Sequence, residues 1–276
     1  MFYEILIGLS TGAVLGITGA GGSVLAIPLM IIVLGYEPTI AMGLSLGLIA
    51  INTGIAFAKS GLKGELYALP IVAFSFFGMI SAPLGSWVRP MIAPTWLMAS
   101  FTLLVVLISA RMLFKPRTSQ QLFETGKLGG VGYSLEKASC AMTPTGFQLR
   151  PRCAVVLIAT GLATGFLSGV FGVGGGFIIV PALMRITRQP ITFAIRHSAA
   201  ILFFISSAGA LSYLWQQGIE PLAPYALPFI SLVMSSLVGL MMVSYWVIEL
   251  KHRRIELFFA ILAITLSMAA AWQVIR

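Results

Sequence analysis

The chain has 276 residues, of which 58% are hydrophobic and 9% are charged. Because a soluble domain carries about 25% charged residues, this composition excludes an ordinary soluble enzyme and indicates a polytopic membrane protein, with the lipid bilayer as a partner. The net charge of +9 does not indicate nucleic-acid binding, since the basic residues fall between apolar runs and not on one face.

Ten apolar segments follow one another along the chain and predict an all-α fold with eight to ten spans. Their approximate bounds are 3–17, 23–34, 39–58, 66–88, 95–114, 154–171, 177–187, 191–214, 222–247 and 255–275. A span needs about 20 residues. The second and seventh segments are too short, so we expect either half-helices of broken helices or arms of re-entrant hairpins.

A glycine-rich motif follows the first segment and recurs after the sixth. The first copy covers 17–23 and the second covers 170–176, which lies 153 positions later. Each copy is followed five residues later by a proline, Pro28 or Pro181. These matches indicate that the chain is a tandem duplication.

The duplication predicts the domain organisation. Residues 1–114 form the first transmembrane repeat, 115–152 a linker rich in Gly, Ser, Thr and basic residues, and 153–276 the second repeat. Because each half holds five segments, an odd number, the second repeat enters the membrane from the opposite side. The sequence therefore predicts an inverted repeat.

The basic residues orient this arrangement. If the 115–152 linker is cytoplasmic, then of the 17 basic residues only Arg89 and Arg276 fall outside. Positive charge is concentrated in cytoplasmic loops of membrane proteins. We therefore expect a multi-pass protein of a bacterial-type inner membrane, with both termini outside.

The glycine motifs are the first candidates for a binding site. In lipid, an irregular backbone persists only where it is buried in protein or lines a cavity, and the start of the following helix favours an anion. Paired interruptions in the two halves of a transporter point to its binding site. The candidate glycines are Gly19, Gly21, Gly22, Gly172, Gly174, Gly175 and Gly176. Helix packing is the alternative, and we assign the upstream pairs Gly12/Gly16 and Gly165/Gly169 to packing.

The chain resembles the TauE/SafE sulfite exporters, also called 4-toluene sulfonate uptake permeases. The resemblance rests on both glycine motifs with their downstream prolines, and on Ala41-x-x-x-Ser45 and its copy Ala194-x-x-x-Ser198. It implies a transporter of small sulfur-containing or organic anions that uses no cofactor, no metal and no enzymatic step. The chain departs from the family pattern at Arg196 and His197, where small residues and Thr usually stand.

Polar residues beside the motifs are further candidates for substrate binding. Ser23, Ser45 and Ser198 either donate to an oxyanion or bond within their own helices, and Ser23 has the further alternative of an N-cap. Asn52, the one asparagine of the chain, shares a helix face with Ser45. It either contacts substrate or joins helices.

Two ionisable residues in the eighth segment complete the set of candidates. Arg196 either pairs with a sulfite or sulfonate oxygen or extends to the cytoplasmic surface. His197 either carries a coupling proton or packs as a neutral side chain. A proton or another coupling ion is thus a possible partner, with His197 as its candidate carrier.

Three functions compete on this sequence. The first is a secondary transporter that holds an anion between two half-helix N-termini near mid-membrane. The second is an anion channel of the same architecture. The third, an intramembrane sulfur-handling protein, would use Cys140 or Cys153, but it needs a base beside the nucleophile and the sequence shows none there.

Overall fold

The structure is a computed structural model that describes residues 2–18, 22–61, 68–113, 141–143, 146–148, 151–187, 191–218, 220–246 and 252–275. Ten α-helices cover most of the described chain and confirm the all-α membrane fold. The first five are α1 Phe2–Thr18, α2 Gly22–Leu34, α3 Pro38–Gly61, α4 Ala68–Val88 and α5 Pro94–Leu113. The second five are α6 Pro151–Phe171, α7 Gly176–Thr187, α8 Ile191–Gln217, α9 Ala226–Trp246 and α10 His252–Ile275.

Shorter elements lie between the helices. Short 3-10 helices cover Arg89–Met91 and Glu220–Tyr225. In the predicted linker, strand β1 Ala141–Thr143 pairs antiparallel with β2 Gly146–Gln148. Proline begins α3, α5 and α6, at the helix position where its missing N–H costs nothing.

Several helices are long enough to cross a bilayer. In the described chain, α3, α4, α6, α8 and the α9 region contain apolar stretches of 18 to 24 residues that qualify as spans. Large apolar side chains, among them Leu227 and Trp272, are exposed on the outside of the bundle. An apolar exterior of this extent suits lipid and not water, which fits a multi-pass membrane protein.

Regularly spaced glycines hold two helix pairs together. α1 packs along α9, and α4 packs along α6. In the first pair, glycines of α1 approach carbonyl oxygens of α9: Gly8 approaches that of Leu232, Gly12 that of Ser236 and Gly16 that of Leu240. The corresponding contacts between α6 and α4 are Gly161 with Phe74, Gly165 with Gly78 and Gly169 with Ala82. Because small residues let helix backbones approach closely, these contacts confirm the packing role of the upstream glycine pairs.

Helices α3 and α8 pack against each other in the interior. Gly43 of α3 lies against the ring of Tyr213, Leu46 lies against Gly209, and Gly54 lies against the ring of Phe203. Since the α3 numbers rise as the α8 numbers fall, these two helices run antiparallel. The contacts of α1 with α9, and of α6 with α4, rise together, so those pairs run parallel.

Candidate functional site

The second glycine motif forms a buried turn between α6 and α7. Residues 172–175 are all buried, and the Gly172 N–H donates to the carbonyl of Ser168 at 2.8 Å. Gly172 and Gly174 have φ of +71° and +69°, a conformation that side chains with a Cβ rarely adopt. A Cβ on Gly175 would lie 3.0 Å from the carbonyl oxygen of Thr164, so the chain folds back beside α6. The chain therefore reverses direction at this turn, which is the chain path expected of a re-entrant hairpin.

The turn reaches the α3–α8 contact. A Cβ on Gly172 would lie 2.5 Å from the Met42 carbonyl oxygen of α3. A Cβ on Gly174 would lie 3.1 Å from Ile49 Cγ2 of α3 and 3.2 Å from Leu202 Cδ2 of α8. The backbone of the turn therefore approaches both central helices so closely that only glycine fits at these positions without displacing its neighbours.

The first glycine motif is described only in part. Gly19, Gly21 and the side chain of Ser23 lie outside the described residues. Gly22 is buried at the start of α2, where an added Cβ would overlap the Thr11 carbonyl and approach Leu15. Gly22 thus lies against Thr11 as Gly175 lies against Thr164, 153 positions later.

Two predicted serines bond to backbone carbonyls. Ser45 is fully buried, and its hydroxyl lies 2.5 Å from the carbonyl oxygen of Gly172 and 2.8 Å from that of Met42. Ser198 donates to the carbonyl of Ile195 at 2.8 Å. Ser45 therefore joins α3 to the glycine turn, while Ser198 bonds within α8. Their predicted contact with an anion requires these hydroxyls to exchange partners.

Two other serines near the turn in the chain or in space have unpartnered hydroxyls. Ser168 of α6 and Ser206 of α8 are fully buried, and neither Oγ has a hydrogen-bond partner. Ser206 Oγ lies 2.8 Å from the Cβ position of Gly174. Neither residue is among the candidates predicted from the sequence. The available signal was their spacing, since Ser168 precedes Gly172 by four residues and Ser206 follows Ser198 by two helical turns.

Asn52 joins helices and also retains an unpartnered acceptor. The side chain is 2% exposed, its Nδ2 donates to the hydroxyl of Ser236 on α9, and its Oδ1 has no hydrogen-bond partner. The interhelical contact is one of the two predicted roles. The free amide oxygen can still accept a hydrogen bond from a hydrated or protonated ligand.

Arg196 and His197 lie on different faces of α8. Arg196 is exposed, whereas His197 is 1% exposed. The exposure of Arg196 favours extension to the membrane surface over a role inside the bundle. Cys140 and the side chain of Cys153 lie outside the described residues.

The candidate site is therefore built from backbone and neutral side chains. Among the described residues, no group of three or more His, Cys, Asp or Glu side chains is placed to hold a metal ion. Of the first four N–H groups of α7, those of Ile178 and Ile179 donate to the Gly175 carbonyl at 3.0 and 3.1 Å, which leaves those of Gly176 and Phe177 without an intrahelical acceptor. Together with the hydroxyls of Ser168 and Ser206, they form a set of donors that suits a small anion.

One family model of known proteins matches nearly the whole chain. The family model described as "Sulfite exporter TauE/SafE" covers residues 4–270. A "Probable membrane transporter protein" of Xylella fastidiosa (strain Temecula1) is 32% identical over 204 residues, which are 74% of this chain and 69% of that protein. The "Probable membrane transporter protein YunE" of Bacillus subtilis (strain 168) is 26% identical over 220 residues, 76% of this chain and 77% of that one.

A plant protein matches over a shorter stretch. The "Sulfite exporter TauE/SafE family protein 1" of Arabidopsis thaliana is 34% identical over 113 residues, which are 41% of this chain and 25% of that protein. No solved structure gives a significant match.

Proposed function

Because the chain belongs to the sulfite exporter TauE/SafE family of membrane transporters, we propose that it is a secondary transporter of a small sulfur-containing or organic anion. The substrate class is sulfite, thiosulfate or an organosulfonate. The membrane is the inner membrane of a bacterial-type cell.

One observation carries this proposal: the buried glycine turn meets both central helices beside unpartnered hydroxyls. Gly174 lies against Ile49 and Leu202, and the free Ser206 Oγ is adjacent to it. A buried hydroxyl without a partner costs roughly 1–3 kcal/mol. That cost is repaid when the hydroxyl donates to a ligand oxygen, so the same group that destabilises the empty site favours the occupied one.

Neutral donors suit a transporter because the anion must enter and leave. A helix N-terminus contributes about 0.3–1 kcal/mol to an anion at an exposed site and up to about 2 when the site is partly buried. Several such weak contacts bind the anion without trapping it. The proposed contacts are therefore the backbone of Gly174, Gly175 and Gly176 with the hydroxyls of Ser168 and Ser206, while Gly172, whose N–H donates to the carbonyl of Ser168, shapes the turn.

The first glycine motif supplies the second half of this site in our proposal. Gly174 contacts Ile49, Leu202 and Ser206, whose counterparts 153 positions away are Leu202, Ile49 and Thr53. If the duplication holds, Gly21 approaches the same central pair from the other side. In this proposal Gly22 and Ser23 line the site from the start of α2 and Gly19 from the motif before it, with Ser45, Ser198 and Asn52 at its edges.

An inverted duplication supports this arrangement. The antiparallel α3–α8 contact joins the third helix of each half, which is the relation that inversion requires. We further propose that the 115–152 linker is cytoplasmic and both termini are outside. Cysteine labelling at positions 2 and 130 tests this orientation, since equal labelling of both positions from outside would exclude it.

Flux into proteoliposomes tests the transport activity itself. We expect uptake of 35S-labelled sulfite or thiosulfate to saturate with concentration and to accelerate when unlabelled anion is trapped inside, as for a carrier. Uptake that rises linearly with anion concentration and is accompanied by an electrical current would instead identify the anion channel. Replacing Cys140 and Cys153 by Ser should leave uptake unchanged. Loss of uptake in that variant would favour the sulfur-handling alternative.

A further inference from the structure

Arg89 is a buried cation that sequence analysis counted only as a charge outside the membrane. It lies in the 3-10 turn at the end of α4 and is 3% exposed. Its Nε and Nη2 donate to the carbonyl oxygen of Gly169 on α6, at 3.2 and 2.5 Å. The guanidinium carbon lies 5.3 Å from the centre of the Tyr213 ring of α8. Arg89 thus joins the ends of three helices.

These contacts leave part of the guanidinium unused. Nη1 is buried and has no hydrogen-bond partner, although it carries two of the five N–H donors of the side chain. In the described part of the chain, the contacts of Arg89 are a carbonyl and an aromatic ring, not a carboxylate. A buried charge without a counter-charge is costly and in membrane proteins indicates function.

A polar cluster holds the Arg89 region in place. Ser86, one helical turn before Arg89, lies 2.6 Å from the hydroxyl of Ser212, which precedes Tyr213. The Gln216 amide lies 2.9 Å from the Ser86 hydroxyl and 3.0 Å from that of Ser212. The cluster fixes the end of α4 against α8, so the Tyr213 ring beside the guanidinium is already positioned before any ligand arrives.

The position of Arg89 links it to the glycine turn. Gly169, its hydrogen-bond partner, precedes Gly172 by three residues, a rise of about 4.5 Å along a helix. The guanidinium and the turn are therefore at the same end of α6. Part of the Arg89 side chain caps the last turn of that helix, where a cation is favoured by the helix dipole. Capping accounts for Nε and Nη2 but not for Nη1.

We propose that Arg89 is a second anion-binding site, beside the glycine turn on the predicted outer side, where the Nη1 edge binds a small oxyanion before or after it occupies the turn. This inference rests on the proposed transport of such anions. A planar guanidinium offers paired N–H groups that match two oxygens of one sulfite, thiosulfate or sulfonate group. A passing anion also supplies the counter-charge that the buried cation lacks.

Equilibrium binding of sulfite to the purified full chain tests this site. Arg89→Gln should weaken the Kd about tenfold or more, since hydrogen bonds to charged groups contribute about 1.5–3 kcal/mol. Arg89→Lys, which keeps the charge and loses the paired donors, should weaken it by a smaller factor of about three. The matched control Lys59→Gln removes an exposed positive charge at the end of α3 and should leave the Kd unchanged.

The outcomes separate a binding role from a purely structural cap. A cap predicts a lower melting temperature for Arg89→Gln with an unchanged Kd, and that result would overturn the proposal. If Arg89→Gln does not fold, Arg89→Lys decides, because a wild-type Kd in that variant excludes paired recognition. If the wild-type chain binds neither sulfite, thiosulfate nor an organosulfonate, the proposed function itself fails. If both variants bind sulfite with the wild-type Kd, the proposed role of Arg89 fails while the proposed transport function stands.

Discussion

Two equivalent interhelical contacts differ in their chemistry. In the first, Asn52 of α3 donates to the Ser236 hydroxyl of α9. In the second, Ile205 of α8, 153 positions after Asn52, packs on Gly78 of α4, where an added Cβ would lie 2.7 Å from Ile205 Cγ1. Gly78 and Ser236 also correspond, since they are separated by the same offset as Tyr67 and Tyr225. The packing is therefore duplicated, while the polar pair is present in one half.

This difference shows which polar residues are not required for the fold. Ile205 and Gly78 show that an apolar pair can fill this position. The buried amide of Asn52 leaves its Oδ1 without a partner, which costs stability in a low-dielectric interior. Ser168 makes the same point at the turn, because its counterpart 153 positions earlier is the apolar Leu15. Polar groups found in one half alone, such as Asn52 and Ser168, are therefore further candidates for substrate contact.

Large side chains at the glycine contacts that occur in both halves should lower stability more than any other change. The loss should be equal in the two halves. Gly12→Leu and Gly165→Leu place a side chain into the backbone of Ser236 or Gly78, so we expect each to lose more than about 3 kcal/mol of folding free energy. Yield of monodisperse protein measures this. Ala163→Leu adds the same bulk at an exposed position of α6 and should be tolerated. A stable, active Gly165→Leu variant would contradict the duplicated packing.

Copying one contact onto the other isolates the role of Asn52. The double variant Asn52→Ile with Ser236→Gly reproduces the Ile205–Gly78 pair, so it should fold and melt near the wild-type temperature. We expect its 35S-sulfite uptake to fall about tenfold or more, because an acceptor and a donor near the site are lost. Ile205→Leu serves as the control with unchanged uptake. Wild-type uptake by the double variant would show that Asn52 only joins helices and does not contact substrate.

Removing a free hydroxyl should separate affinity from stability. Ser206→Ala and Ser168→Ala lose no hydrogen bond of the empty protein, so their melting temperatures should stay level or rise. We expect sulfite affinity to weaken about three- to tenfold in each. Ser45→Ala is the contrast: it loses the bond to Gly172 and should melt at a lower temperature. Unchanged sulfite affinity in both Ser168→Ala and Ser206→Ala would remove these hydroxyls from the site.

The smallest effect concerns coupling at His197. Histidine ordinarily changes charge near neutral pH, and His197 is buried one residue before Ser198. If transport is coupled to protons through this side chain, His197→Gln should flatten the dependence of uptake on pH while uptake at the optimum changes little. An unaltered pH profile would exclude His197 from coupling.

Periodicity and motif spacing were sufficient to predict most of the fold. The ten apolar segments match the ten described helices, because lipid requires each span to satisfy its own backbone. Pairing across the interface was not predictable in the same way. That Asn52 bonds to Ser236, or that Arg89 is buried against Gly169, depends on contacts between residues 184 and 80 positions apart. The re-entrant turn was one of two expected alternatives, since segment length alone does not specify the direction of the following helix.

The central claim is that an anion binds at the glycine turn between α3 and α8, and calorimetric titration of sulfite into two valine variants tests it most directly. Gly174 and Gly218 have nearly the same backbone conformation, with φ of +69° and +75°. A Cβ at Gly174 meets Ser206 Oγ at 2.8 Å, whereas at Gly218 nothing lies within 4 Å. We predict that the wild type and Gly218→Val bind sulfite at the turn and at Arg89, whereas folded Gly174→Val loses the turn site and keeps at most the Arg89 site. Wild-type stoichiometry and Kd in Gly174→Val would contradict the account.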